Sequence, residues 1–387
     1  MSMRYKNSRV RGLWYALGLA PLLAVTHAAE PVPDDPLGMV KTLPAPSPHW
    51  MWVNDFVFTH MSDGQAFLVD GDSGTLLGQL STGFGFNRVL VPKSQDVVYA
   101  PETYFSRGSR GERTDIVAVY DYRTLSVLEE IAIPPKRSSN MPMMANAEFT
   151  DDERFILIYN FNPAQSVTVV DARARKFVGE IETPGCALVY PTGPRSFFSI
   201  CADGALLDTQ LDDKGGMARQ RRTAHLFDVK DPVTEKGVRS GNRWLFVSFD
   251  GMVHPIEIAA NGLTAGRTWS LFDAQERAQS WRTGGLQHLA IHEATQRLYA
   301  IVHQGPLDTR KDPGVDVWVY DLRSRKRVQK MTLKNPAGSI RVTRDDKPVL
   351  FSIFLGSNTT DVYDALSGAH LRSIAEIGTT PTILVDP

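Results

Sequence analysis

The chain has 387 residues, 42 basic and 43 acidic side chains and a formal net charge of −1, so no basic surface is implied and nucleic acid is excluded as a natural partner. Hydrophobic residues make up 42%, enough for a large core. Length alone allows two or three domains, but an internal repeat overrides that division.

Residues 1–28 read as a secretion signal. Arg4, Lys6, Arg9 and Arg11 form a positive start, Leu13 to Val25 is apolar, and Thr26, His27 and Ala28 close it with small residues at the cleavage positions. The apolar run is too short to span a bilayer. The alternative is a buried N-terminal helix or an anchor. No other segment is apolar enough to cross a membrane, so the mature chain is expected to have no membrane partner. Residues 29–48 are rich in proline (Pro31, Pro33, Pro36, Pro44, Pro46, Pro48) and read as an extended arm, a disordered tail, or an arm lying on a partner subunit.

From Trp50 onward, strands alternate with turns. A strand ending in aspartate, a turn and a second strand recur at Asp70, Asp121, Asp171, Asp321 and Asp364, roughly every 50 residues, the period of propeller blades. Polar hairpins precede them, at Val89–Tyr99, Phe149–Ile158, Ala290–Ile301 and Ile340–Phe351. The units fall near residues 50–80, 89–133, 145–182, 187–215, 222–270, 286–331 and 339–374. The fold expected over residues 49–387 is therefore all-β, a seven-bladed β-propeller of four-stranded antiparallel blades. The first unit is short of a strand, and Pro381 to Asp386 can supply it, leaving no open sheet edge. Leu271 to Trp281 reads as a short helix with Asp273 as a possible N-cap.

Cys186 and Cys201 flank a strand, a Pro/Gly turn and a strand. Antiparallel neighbours can bring two such residues into disulfide range, and an oxidising compartment favours the bridge. The alternative is two buried thiols.

Self-sufficient catalysis is not legible. There is no Gly-x-Ser-x-Gly elbow and no P-loop, and His292-Glu293 lacks the second histidine of a zinc-protease motif. His288 and His292 read as ordinary core or surface histidines. The pairs Asp151/Asp152, Asp212/Asp213 and Asp345/Asp346, like the repeated aspartates, sit where turns need capping residues.

Several stretches do not follow the repeat: Ser81 to Phe84, Phe105 to Asp115, Pro184 to Cys186 with Phe197, Phe198 and Cys201 to Gly204, and Ser280 to Gly285 with Gln287. They resemble the heavy subunit of the amine dehydrogenases that carry tryptophan tryptophylquinone, the methylamine and aromatic amine dehydrogenases. The resemblance covers essentially the whole mature chain. It implies a periplasmic complex of two heavy and two light chains that oxidises a primary amine to aldehyde and ammonium and passes electrons to a small blue copper protein. The quinone and the catalytic base would lie in the light subunit, so this chain would hold no catalytic residue, cofactor or metal. Methylamine is the first substrate expected, aromatic amines second. By the same resemblance Phe84 lines the substrate channel, and Phe86 is an aromatic where none is expected, which alters the channel shape. Arg107, Arg110, Glu112, Arg113 and Asp115 are expected at the light-chain interface, with Trp281 and Arg282 as further candidates. The competing readings are a free-standing periplasmic propeller that binds a ligand or protein, and a propeller-type hydrolase with acids or a metal in its central channel.

Overall fold

Runs of β-branched and aromatic residues form the strands, and burial sorts them by position within a blade. Phe155–Asn160 and Ser166–Asp171 are buried along their whole length, because neighbouring blades cover both sides of a middle strand. The outer strand Val127–Ile133 buries only Ile131 and Ile133. The computed structural model describes residues 42–86, 88–137 and 141–387. The expected secretion signal, and the arm as far as residue 41, lie outside them.

The strands form seven antiparallel sheets, the blades of a β-propeller. Blades three, four and seven have four strands, while blades five and six each carry an extra short one. The second has three, Val97–Phe105, Arg113–Asp121 and Val127–Ile133, and its inner strand shrinks to a bridge between Leu90 and Tyr99. Core clusters lie between adjacent blades; Tyr190, Phe198, Trp244 and Phe246 form an aromatic one. Cys186 and Cys201 are directly paired across two strands of the fourth blade and joined by a disulfide. Among the described residues no helix is long and apolar enough to cross a membrane.

The first blade is completed by the end of the chain. Pro381–Val385 pairs with Trp50–Asp55, with Trp52 opposite Val385 and Asn54 opposite Ile383. Buried Asp55 fastens this junction: its carboxylate accepts from the backbone N–H of Val57 at 2.7 Å, of Thr380 at 3.0 Å and of Thr379, and from the Thr380 hydroxyl at 2.9 Å. On its other side the closing strand meets Gln287, whose amide both donates to the Leu384 carbonyl (3.0 Å) and accepts from the Leu384 N–H (2.9 Å). That side chain completes the strand as a peptide group would.

Three expectations need correction. The fourth blade runs on to Arg222, because the turn after Leu211 leads into an outer strand, Met217–Arg222; that strand is polar and lacks the apolar alternation that marks a half-buried one. The helix is only Ala274–Ala278, closed at its start by a reciprocal capping box between Asp273 and Glu276. Ser280 then adopts φ +62°, and Trp281–Thr283 is a strand paired with residues 302–304, outside the helix. The arm is not free at its C-terminal end, since Leu43 is buried and its N–H donates to the Arg123 carbonyl at 2.8 Å.

Replacing Asp55 by Ala leaves several donors without an acceptor inside the closing junction. We expect a loss of at least ~3 kcal/mol by urea unfolding, against about 1 kcal/mol for Asp70→Ala in a solvated turn.

Candidate functional site

Strand direction divides the ring into two faces. Each blade's turn between its third and fourth strands opens on one face, and the hairpin between its second and third strands opens on the other, together with the connection to the next blade. The repeated aspartates all lie on the first face. Asp121 accepts from the N–H of Arg123 and Thr124 and from the Thr124 hydroxyl; Asp321 and Asp364 cap their turns through Ser324 and Ser367. These bonds hold both carboxyls low. The paired acids also serve structure: Asp152 on Arg195 joins the third and fourth blades, and Asp151 on Arg239 joins the third to the fifth.

The segments that depart from the repeat gather on the opposite face. They are Gly83 to Phe86, the hairpin Phe105–Arg113, the connection after Ile133, the disulfide, and the strand at Trp281. Phe84 is half-buried there, its ring edge-on to Phe105 with centroids 6.0 Å apart. Its N–H donates to the Thr103 carbonyl at 2.8 Å, and its carbonyl accepts from Arg137. Gly83 and Gly85 on either side have φ +59° and +123°, a conformation that favours glycine. Phe86 packs against Phe56 and Phe58, each with centroids 5.9 Å away.

Beneath this loop lies a buried polar cluster. Arg113 binds Asp115 through two bonds of 2.7 Å, and Asp115 also accepts from the Thr103 hydroxyl (2.9 Å) and the Arg137 N–H (2.9 Å). Beside it Glu102 is 1% exposed and accepts from the hydroxyls of Tyr104 (2.6 Å) and Tyr120 (2.8 Å). Burial pushes the Glu102 carboxyl up to about 7, against the two hydroxyl bonds and the Arg137 charge, which favour its ionised form.

The expected interface residues separate by burial. Arg107, Arg110 and Glu112 are exposed at the hairpin tip, which is tied by Arg107 N–H to the Arg110 carbonyl at 3.0 Å. Arg113 is half-buried and Asp115 is interior, so Asp115 supports the face from within. Trp281 and Arg282 are half-buried and packed within their own part of the ring: Trp281 lies 4.7 Å from Trp318, and Arg282 donates to the Gly305 carbonyl at 2.8 Å. Glu102, Arg137 and Phe58 were not singled out by sequence; Arg137 and Phe58 meet their partners Phe84 and Phe86 far along the chain, and Glu102 gives no local signal.

A central cavity of about 680 Å³ is lined by the inner strands. Its charges are largely paired across blades. Arg88 meets Glu148 at 2.5 Å, and Asp386 lies between Arg341 (2.5 Å) and Arg344 (2.6 Å). Burial works against ionisation of Asp386, yet the two arginines hold its carboxyl well below the usual range. His288 is buried and pairs with the Thr234 hydroxyl at 3.3 Å; His292 bonds Thr295 and the Asp345 carbonyl. Among the described residues no group of acids, histidines and cysteines is disposed to hold a metal ion.

The family model described as methylamine dehydrogenase heavy chain matches residues 49–386. The chain belongs to the methylamine dehydrogenase heavy chain family. The heavy chain of Paracoccus versutus is 30% identical over 91% of this chain and 82% of its own length. That of Methylophilus methylotrophus is 29% identical over 89% and 85%. Two solved structures share the fold at low identity. A functionally unknown protein from Desulfotomaculum acetoxidans (TM-score 0.61, 14% identical) and a periplasmic gluconolactonase from Pseudomonas aeruginosa (TM-score 0.57, 15% identical) each cover 87% of this chain and 98% of their own.

A buried acid with a raised pKa adds stability that is complete below its unfolded value and lost as pH rises through its folded value. For Glu102 that window runs from the ordinary 4.5 to about 7. Stability of the native chain relative to Glu102→Gln is therefore expected to fall by on the order of 2 kcal/mol between roughly pH 5 and pH 8 in urea unfolding.

Proposed function

We propose that this chain is the heavy subunit of a periplasmic amine dehydrogenase, assembled as two heavy and two light chains, that oxidises a small primary amine, methylamine first, to aldehyde and ammonium. The observation that carries this reading is the family match across the whole propeller. Tryptophan tryptophylquinone of the light subunit supplies the two-electron oxidation, and a small blue copper protein accepts the electrons.

The residues of this chain suit a supporting part. Trp50, Trp52, Trp244 and Trp318 are buried, and Trp318 is covered by Arg327 and Lys330 over its ring, so these tryptophans are committed to packing. The light subunit docks on the face opposite the aspartate turns, where Arg107, Arg110 and Glu112 are exposed and can make planar, paired polar contacts. Phe84 stands on that face as the wall of the amine channel. A half-buried ring there admits a small amine and obliges a larger one to displace it.

Two experiments test the reading. Protein purified from its native periplasm is expected to bring a small subunit with visible quinone absorbance and amine-dependent dye reduction; a colourless single chain overturns it. Phe84→Ala in the complex is expected to move the kcat/KM ratio toward larger amines by about 10-fold, and unchanged ratios defeat the channel role.

A further inference from the structure

We propose that Arg137 is the positioning residue that fixes Phe84 and so sets the size limit on the amine. This rests on the reading of Phe84 as a channel wall. A ring discriminates by size only if it cannot yield cheaply, and it can yield either by rotating its side chain or by carrying its backbone with it. Here the backbone route is closed. Both peptide groups of Phe84 are occupied, the N–H by the Thr103 carbonyl and the carbonyl by Arg137.

The flanking glycines would ordinarily be the softest points of the loop, yet each is packed against a neighbour. A Cβ at Gly83 would lie 2.8 Å from the Thr103 carbonyl oxygen, and one at Gly85 would lie 2.6 Å from a guanidinium nitrogen of Arg137. Arg137 thus fills the space that Gly85 leaves open.

Arg137 has little slack of its own. It is 4% exposed, and the Nη2 that holds Phe84 also donates to the Thr103 hydroxyl at 2.5 Å. Its N–H donates to Asp115 at 2.9 Å, and its carbonyl accepts from Arg113 at 2.6 Å. Asp115 and Arg113 belong to the strand that leaves the exposed hairpin, so a chain of charge-assisted bonds runs from that hairpin to Phe84. Burial lowers the Arg137 pKa to about 10, opposed by Asp115, so the guanidinium stays charged near neutrality. Both hydrogens of that one nitrogen lie in the guanidinium plane, so the two acceptors are held at a fixed angle, which the freely rotating ammonium of lysine does not impose.

The test uses the complex purified with its light subunit and compares kcat/KM for methylamine and butylamine in native protein, Phe84→Ala, Arg137→Lys and the double variant. Arg137→Lys is expected to shift the ratio toward butylamine by roughly 5- to 10-fold, through KM more than kcat. In the Phe84→Ala background the same change is expected to shift it less than about 2-fold, because the two act through one ring. Equal losses for both amines, or a full shift without the ring, overturn the inference. If Phe84→Ala itself leaves the ratio unchanged, it is the channel reading that fails. If Phe84→Ala shifts it and Arg137→Lys does not, only the role of Arg137 fails. Should Arg137→Lys not accumulate, Thr103→Val, which removes only the hydroxyl that seats the same guanidinium, decides by the same ratio.

Discussion

A ring of sheets has to solve the problem of its first and last edges, and here the solution rests on one short strand. Pro381–Val385 enters the first blade as its inner strand, so the two ends of the folded chain share one sheet. Unpaired backbone groups at such an edge would be buried against the central cavity, where each costs about 1–3 kcal/mol. Asp55 and Gln287 remove that cost from opposite sides. The position of Phe84 depends on this closure, because the loop that carries it leaves the outer strand of the same blade, Leu76–Gly83.

The polar cluster under that loop shows how charge is managed inside a β fold. Asp115 has both oxygens filled by Arg113, Thr103 and the Arg137 backbone. With its partners in place a buried carboxylate confers geometric definition more than net stability. Glu102, a few ångströms of strand away, receives only neutral hydroxyls, and burial raises its proton affinity against them. Two acids in one blade thus take different partners, arginine and backbone for one and tyrosine hydroxyls for the other.

What could be read from the sequence was local. Each repeated aspartate bonds to residues two or three positions ahead, so the turn is encoded in four consecutive letters, and repetition then exposes the blades. The closing strand was legible because the first unit was short. The strand Met217–Arg222 escaped because an outer strand exposed on both sides carries no apolar period. Trp281 fell within the expected helix because its strand is three residues long and follows that helix closely. Arg137 had no local signal at all: it reaches Phe84 across 53 positions of chain. Of the candidate site, then, Phe84 and the charged hairpin were named by resemblance alone, whereas the groups that hold them in place arise only from tertiary folding.

The segregation of repeat-built turns to one face has a practical side. Both cysteines of the chain are consumed by the disulfide, which leaves no free thiol. Asp213 lies in a turn on the aspartate face with its side chain almost wholly in solvent. A single cysteine introduced there would be a unique chemical handle, and a molecule tethered through it to an electrode would stand with Phe84 and the arginine hairpin turned outward. Orientation on a surface, ordinarily a matter of chance for a globular protein, is here written into the alternation of strand direction.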